Sequence, residues 1–233
     1  MYIAGRTDTG RTRSHNEDNY CVGANFAVVA DGMGGHQKGE VASGIVVEHL
    51  KEYFEKEEFK PNAQNLKKAI CSANRVVYRK AVSESEYNGM GTTVVCCVWD
   101  ESTVYVAHIG DSRCYQITKD RNLQITKDHT LIQTLLDDGQ ITEEEAKTYP
   151  NRHVITKAVG TNPDEEADVS EINIETGMNL LLCSDGLCNY VTDEKIGKII
   201  TKNKNVDSAV NTLISTANKN GGKDNITAVL IRF

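Results

Sequence analysis

The chain has 233 residues, of which 39% are hydrophobic and 25% charged, and its formal net charge at pH 7 is -7. This hydrophobic share is enough for a sizeable folded core and excludes an intrinsically disordered chain. The negative charge argues against general nucleic-acid binding, which needs a basic surface.

The cysteine pattern and the lack of long apolar segments predict the cellular setting. There are seven cysteines, an odd number without Cys-x-x-Cys spacing, so neither a disulfide framework nor a zinc site is predicted. The first residues, MYIAGRTDTGR, contain no apolar signal segment, and no apolar run reaches the length of a membrane span. We therefore expect a soluble protein in the reducing cytoplasm, with no membrane partner.

In chain order, the first predicted element is a buried strand, FAVVA, at 26–30. Two amphipathic helices follow, because apolar residues recur every three or four positions over 40–56 and 62–82. Three strands come next, joined by short turns that favour antiparallel hairpins; they span 92–99, 103–109 and 114–118.

The second half of the chain continues with a strand at 179–184, a helix at 206–219 and a strand at 226–233. Runs of strands between helix pairs indicate stacked sheets with helices outside, and a regular alternation of strand and helix is absent. Because no Pro- or Ser-rich linker and no repeat interrupts the chain, we expect a single domain over residues 1–233.

Carboxylates stand at the margins of four predicted strands. Asp31, Asp111 and Asp185 each follow a strand, and Asp224 comes just before the last one. Any one of them alone is an ordinary turn residue. Four carboxylates converging on one cleft would repel each other unless cations neutralised them, and Mg²⁺ or Mn²⁺ prefers oxygen ligands. The sequence therefore favours a divalent-metal site over four unrelated turns.

Other phosphate and ester chemistries find little support. The loop at 32–37 lacks the third glycine of a dinucleotide fingerprint, and the chain has no phosphate-binding G-x-x-x-x-G-K-[ST] loop. It also has no C-x5-R thiolate loop and no D-x-D, and the segment at 110–114 lacks the last glycine of a nucleophile elbow. A metal-activated water remains as the nucleophile.

Eight segments, in order along the chain, resemble the motifs of one family. They are TDTGRTRSHNED (7–18), VADGMGGHQKGE (29–40), MGTT (90–93), HIGDSRCY (108–115), DHTLIQTLLDDGQIT (128–142), VITKAVG (154–160), LLCSDGL (181–187) and GGKDNIT (221–227). With them the chain resembles the metal-dependent protein serine/threonine phosphatases of the type-2C class, in the short form common in bacteria.

The resemblance implies an α+β fold, a four-layer α/β/β/α sandwich in which two antiparallel β-sheets pack face to face and are flanked by helix pairs. It also implies two Mn²⁺ or Mg²⁺ ions at one end of the sheets. Asp31 would bridge both ions and the Gly32 carbonyl would bind one, while Asp185 and Asp224 would complete the other. Arg13 matches the arginine that grips the substrate phosphate.

Three further acidic residues match family positions near the ions. Asp111 corresponds to the residue that, with Asp185, can hold a third metal in such enzymes. Glu17 and Asp18 correspond to an acidic pair that contacts the centre mostly through its waters. A glycine at position 32 fits this role, because a side chain there would obstruct the approach of the Gly32 carbonyl to a cation.

The implied activity is hydrolysis of phosphoserine and phosphothreonine in proteins by direct attack of a metal-bridging water or hydroxide. The resemblance further implies that a serine/threonine kinase produces the substrates, and we expect a monomer. The alternative is a catalytically inactive phosphoprotein-binding or regulatory module on the same scaffold. Such a module should have lost a metal carboxylate or the arginine, and none is missing here.

One position departs from the larger relatives, and several residues keep two interpretations. Met33 stands where larger relatives have a histidine that is a candidate general acid, so the protonation of the leaving group is unassigned. His36 is nearby and is a candidate substrate contact, with a surface-loop residue as the favoured interpretation. The segment 128–152 is predicted to form a flap beside the cleft. Its His129 and Arg152, together with His153, either meet the phosphoprotein or are solvent-exposed scaffold.

Overall fold

A computed structural model of the chain describes residues 1–34, 38–146, 148–150 and 154–233. Its strands are Tyr2–Asp8 (β1), Asp18–Val22 (β2), Phe26–Met33 (β3), Gly91–Thr92 (β4), Val94–Trp99 (β5), Thr103–Ile109 (β6), Arg113–Ile117 (β7), Asn122–Gln124 (β8), Asp168–Asn173 (β9), Asn179–Cys183 (β10) and Ile226–Arg232 (β11). Its helices are Lys38–Phe54 (α1), Ala63–Ser83 (α2), Leu131–Asp137 (α3), Glu143–Ala146 (α4), Asp185–Cys188 (α5), Asp193–Lys202 (α6) and Val206–Lys219 (α7).

The strands form two antiparallel sheets. One has the order β1-β11-β10-β7-β8, and the other has the order β2-β3-β5-β6-β9, with the short β4 paired to β3. Helices α1 and α2 pack on the outer face of the second sheet, and α6 and α7 pack on the outer face of the first. This arrangement confirms the predicted α+β sandwich of two sheets flanked by helix pairs.

Strand β3 shows why the layers hold together. Phe26, Val28 and Ala30 face α1 and α2, whereas Ala27 and Val29 face the other sheet. Side chains alternate between the two faces of a strand, so a strand that is apolar at every position must be covered on both sides. All five side chains are at most 2% exposed, and the continuous run FAVVA is the sequence signature of this double burial.

The predicted helices and central strands are confirmed, with boundaries shifted by up to three residues, and the strand predicted at 92–99 is divided into β4 and β5. Four strands were not predicted from the sequence: β1, β2, β8 and β9. Each is the outermost strand of its sheet. An edge strand is covered less completely than a central one, so its sequence carries fewer apolar residues. In β9 (DVSEIN), for example, a single residue, Ile172, is buried.

The site-bearing loops all leave the same end of the sandwich. The end of β3, the β6–β7 turn, the end of β10 and the start of β11 carry the four strand-margin aspartates. Within the described residues, no helix is long and apolar enough to cross a membrane.

Candidate metal centre

The structure brings Asp31, Asp111, Asp185 and Asp224 together around one cleft of about 340 Å³. Glu17 and Arg13 also line it, as do Gly32 and Met33. Residues separated by up to 211 positions thus meet because both sheets end here. Five carboxylates and one guanidinium make this cleft strongly anionic.

Asp31 is fixed by its main chain at the end of β3. Its N–H donates to Thr93 Oγ1 (3.1 Å), and its carbonyl accepts from Thr93 N (2.8 Å) and Thr92 Oγ1 (2.8 Å). With the backbone groups satisfied in this way, the carboxylate is left to face the cleft. The MGTT motif therefore serves to hold Asp31, a role that its sequence does not reveal.

Asp18 lies opposite Asp31 in the β2–β3 ladder and is 4% exposed. Its Oδ2 accepts hydrogen bonds from Ser184 Oγ and Thr227 Oγ1, both at 2.7 Å. Its Oδ1 is buried and has no hydrogen-bond partner in the described part of the chain. A buried carboxylate oxygen without a donor is unfavourable unless a cation or its water lies beside it.

The electrostatics of the cleft point the same way. Burial, followed by repulsion from Asp18, Asp185, Asp111 and Asp224, raises the pKa of Asp31 well above its ordinary value. Burial also raises the pKa of Asp18 to about 7, and burial with repulsion from Asp185 and Asp128 raises that of Asp111 to about 7. Without a cation, these carboxyl groups retain protons that free aspartates lose.

Arg13 reaches the cleft from the loop between β1 and β2. Its Nη2 lies 2.9 Å from both carboxylate oxygens of Asp224. The Arg13 side chain is 49% exposed, so this ion pair is solvent-screened and leaves the guanidinium accessible to a ligand.

Gly32 has a reason to be glycine that the sequence does not show. A Cβ on Gly32 would collide with the backbone of Gly39 at the start of α1 and come within 2.6 Å of the Glu17 carbonyl. Gly32 N donates to that carbonyl (3.1 Å). The glycine is therefore required by the contact of β3 with α1 and β2, whatever its carbonyl binds.

Asn225 is a site residue that sequence reasoning missed. Its side chain accepts from Glu17 N (2.9 Å) and donates to the carbonyls of Thr9 (3.0 Å) and His15 (2.9 Å). It is 4% exposed. Asn225 thus ties the loop that carries Arg13 and Glu17 to the start of β11, directly after Asp224.

Comparisons with known proteins agree with this geometry. Residues 11–231 match the family model described as protein phosphatase 2C. The serine/threonine phosphatase stp of Listeria innocua is 38% identical over 240 residues, covering 99% of this chain and 95% of its own length. This chain belongs to the protein phosphatase 2C family. It is accordingly a metal-dependent serine/threonine protein phosphatase.

Solved structures of similar phosphatases share the fold. Serine/threonine phosphatase Stp1 from Staphylococcus aureus has a TM-score of 0.94 and 39% identity, covering 99% of this chain and 94% of its own. The catalytic domain of the phosphatase PstP, solved in complex with two manganese ions, has a TM-score of 0.89 and 36% identity, with coverage of 98% and 96%. In the present chain, the cleft is rich in carboxylate oxygens, and Asp18 Oδ1 has no hydrogen-bond donor among the described residues. These features fit divalent cations.

A second cluster does not fit a metal. One ring nitrogen of His108, one ring nitrogen of His129 and a carboxylate oxygen of Asp168 lie within 4.8 Å of one another. However, His129 Nδ1 accepts from Gly110 N (3.1 Å), so its Nε2 carries the proton and faces Asp168 Oδ2 at 3.3 Å. A metal on that nitrogen would require an imidazolate.

His129 is placed in the structure at the base of the flap and outside the cleft lining. Its side chain is 9% exposed and stacks on His108 with ring centroids 4.6 Å apart. His129 is therefore a packed residue and not the solvent-exposed scaffold residue of one expectation, whereas its contact with a phosphoprotein stays a prediction. His108 is a core residue whose ring is satisfied, because its Nε2 donates to Lys127 O (2.8 Å). The other suggested substrate contacts, His36, Arg152 and His153, lie outside the described residues.

Proposed function

We propose that this phosphatase hydrolyses phosphoserine and phosphothreonine in proteins with two divalent cations, Mn²⁺ or Mg²⁺. Asp31, Asp185, Asp224 and the Gly32 carbonyl would hold them, and Asp111 with Asp185 would hold a third. The observation that carries this proposal is the cluster of five cleft carboxylates, in which Asp31 has a strongly raised pKa. Such a cluster is unfavourable without cations.

The residues of the chain divide the work. Bound in this cleft, divalent cations would lower the pKa of a coordinated water and so supply a nucleophile near neutral pH. Glu17 and Asp18 would orient the surrounding waters, since Asp18 Oδ1 is free to accept. Arg13 would bind the phosphate, because its planar fork can donate two parallel hydrogen bonds to phosphate oxygens.

The leaving oxygen needs a proton that Met33 cannot give. Met33 lines the cleft, and its thioether has no transferable proton. A solvent-derived proton is the simplest source, since the cleft is open to water along the exposed Arg13. The flap at 128–152 would then act on the protein substrate and take no part in the chemistry.

The setting of the enzyme is also part of the proposal. We propose that residues 1–233 act as one catalytic domain, that the enzyme works as a monomer in the cytoplasm, and that it reverses a serine/threonine kinase in signalling. Two observations support this setting: the free cysteines fit a reducing compartment, and one cleft contains every proposed catalytic group.

A metal-dependent activity panel tests the function. Purified protein with Mn²⁺ should hydrolyse p-nitrophenyl phosphate and phosphoserine and phosphothreonine peptides, and EDTA should stop it. Asp185→Asn should lower kcat by about 100-fold or more while the protein stays folded, and Asp207→Asn, an acidic residue at the start of α7, should not. Full activity after exhaustive chelation would contradict the mechanism. Metal binding with no turnover on any peptide would instead support the inactive module.

A further inference from the structure

A second concave surface adjoins the catalytic cleft. It is a groove of about 460 Å³ between β1, the following loop and α7. We call it the basic groove, because Arg6, Arg11 and Lys219 line it against one carboxylate, Asp8. The remaining lining residues are Thr7, Gly10, Asn211, Ile214, Ser215 and Asn218.

The three cations of the basic groove are exposed, and the ion pairs found in the described residues involve none of them. The one carboxylate is held by neutral groups of the groove wall, since Asp8 Oδ1 accepts from Gly10 N (2.8 Å) and Asn218 Nδ2 (3.0 Å), and the lining thus has three cations to one carboxylate. In a chain with a net charge of -7, this concentration of unpaired positive charge forms a local anion-attracting surface.

Each cation has an ordinary explanation when taken alone. Lys219 in the last turn of α7 complements the helix dipole, and Arg6 places a charge on an edge strand. Neither explanation requires both side chains to line one concavity with Arg11. Convergence from three separate elements is what points to a bound anion.

The basic groove is connected to the catalytic cleft by a short loop. Arg11 lines the groove and Arg13, two residues later, lines the cleft. The connecting loop is held by the Arg11 N to Gly222 O hydrogen bond (2.6 Å), and it passes so close to Asp224 that a Cβ on Gly10 would collide with the Asp224 carbonyl. Two residues of extended chain span about 7 Å, so one substrate segment can reach both surfaces.

We propose that the basic groove binds acidic side chains that flank the phosphorylated residue of the substrate protein, on one side of that residue. This inference rests on the proposed function, because it places the phosphorylated residue in the cleft. A groove beside the cleft contacts the neighbours of the residue being dephosphorylated, so its occupant is a segment of the substrate. That segment is rich in carboxylates, because the groove is lined by three cations. Because the groove lies on one flank of the cleft, the preference should be one-sided.

The test compares three phosphoserine peptides, with three glutamates before the phosphoserine, with three after it, or with neutral residues on both sides. In wild type, one acidic peptide should have a kcat/KM about five- to tenfold above the neutral peptide. The variant Arg6→Gln/Arg11→Gln/Lys219→Gln should lose that advantage and keep its turnover of p-nitrophenyl phosphate. The matched control, Lys68→Gln/Arg75→Gln/Arg79→Gln, removes three exposed charges from α2 and should keep the advantage.

Other outcomes overturn the proposal. If both acidic peptides had an equally raised kcat/KM, and the groove variant kept this advantage, the preference would come from the overall charge of the protein and not from the basic groove. If kcat/KM rose when the flanking glutamates were replaced by a second phosphoserine, but not with glutamates, the carboxylate assignment would be rejected. Fluorescence anisotropy of the labelled acidic peptide separates this proposal from the proposed function. Groove-dependent binding without turnover would reject the catalytic function alone, and turnover without groove-dependent preference would reject the groove alone.

Discussion

At the scale of single residues, Asn225 links the order of a loop to catalysis. Its three hydrogen bonds hold the loop that brings Arg13 beside Asp224, so we expect Asn225→Ala to lower kcat/KM at least tenfold. Loss of these buried hydrogen bonds should also cost about 2–3 kcal/mol of unfolding free energy. Steady-state kinetics and urea denaturation measure the two effects.

Asn74 provides a matched control for this prediction. It is fully buried, accepts from Gly160 N (2.7 Å) and donates to the carbonyls of Asn162 (2.8 Å) and Pro163 (3.2 Å). Asn74→Ala therefore removes a similar set of bonds from another loop. It should destabilise the protein by a similar amount and leave kcat/KM within about threefold. Equal losses of activity in both variants would mean that Asn225 acts through stability alone.

The sequence could predict the cleft carboxylates and could not predict the residues that hold them. Asp31, Asp111, Asp185 and Asp224 are recognisable because each follows or precedes an apolar run, which is a local pattern. The partnership of Ser184 with Asp18 joins residues 166 positions apart and is visible only once both sheets are assembled. Small polar residues such as serine and asparagine carry no local signal for such contacts.

At the scale of elements, the same physical limit explains the missed strands. The central strands β5, β10 and β11 are buried almost throughout, so their sequences are apolar runs. Strand β1 has one buried residue, Ala4, and is held in the sheet by antiparallel pairing with β11 along seven residues. Backbone hydrogen bonds are independent of side-chain type, and a sequence pattern does not report them.

The flap is an element that should be separable from the fold. Its ends are already joined, because Leu131 N donates to Val154 O (2.9 Å) and Thr156 N donates to His129 O (2.8 Å). Helices α3 and α4 contain no buried residue. Replacing residues 132–153 by a short Gly-Ser linker should therefore shift Tm by no more than about 4 °C.

The flap-deleted enzyme should keep turnover of p-nitrophenyl phosphate within about threefold and lose part of its kcat/KM toward phosphopeptides. Differential scanning fluorimetry and kinetics on both substrates measure this. Deleting α6 is the contrasting variant. That helix buries Ile196, Ile199 and Ile200, so its removal should prevent folding. Loss of turnover on the small substrate in the flap-deleted enzyme would place the flap in the chemistry itself.

At the scale of the whole molecule, the cleft works against stability when it holds no cation. Asp18, with a pKa of about 7, binds a proton in the folded state over a range where an unfolded aspartate, with a pKa near 3.8, does not. The folded state thus holds more protons than the unfolded state between about pH 4 and pH 7. Its free energy of unfolding must therefore fall as the pH rises through that range. Asp31 and Asp111 shift in the same direction and reinforce the slope.

Asp18→Asn should relieve part of this cost in the EDTA-treated protein. The asparagine carbonyl can still accept from Ser184 and Thr227, while its amide replaces the oxygen that has no donor. At pH 8 we expect urea denaturation to show about 2–4 kcal/mol more stability than wild type, and at pH 4 little difference. Mn²⁺ should stabilise wild type far more at pH 8 than at pH 5, and the variant less than wild type at pH 8. Parallel pH curves for the two metal-free proteins would mean that Asp18 carries no such cost.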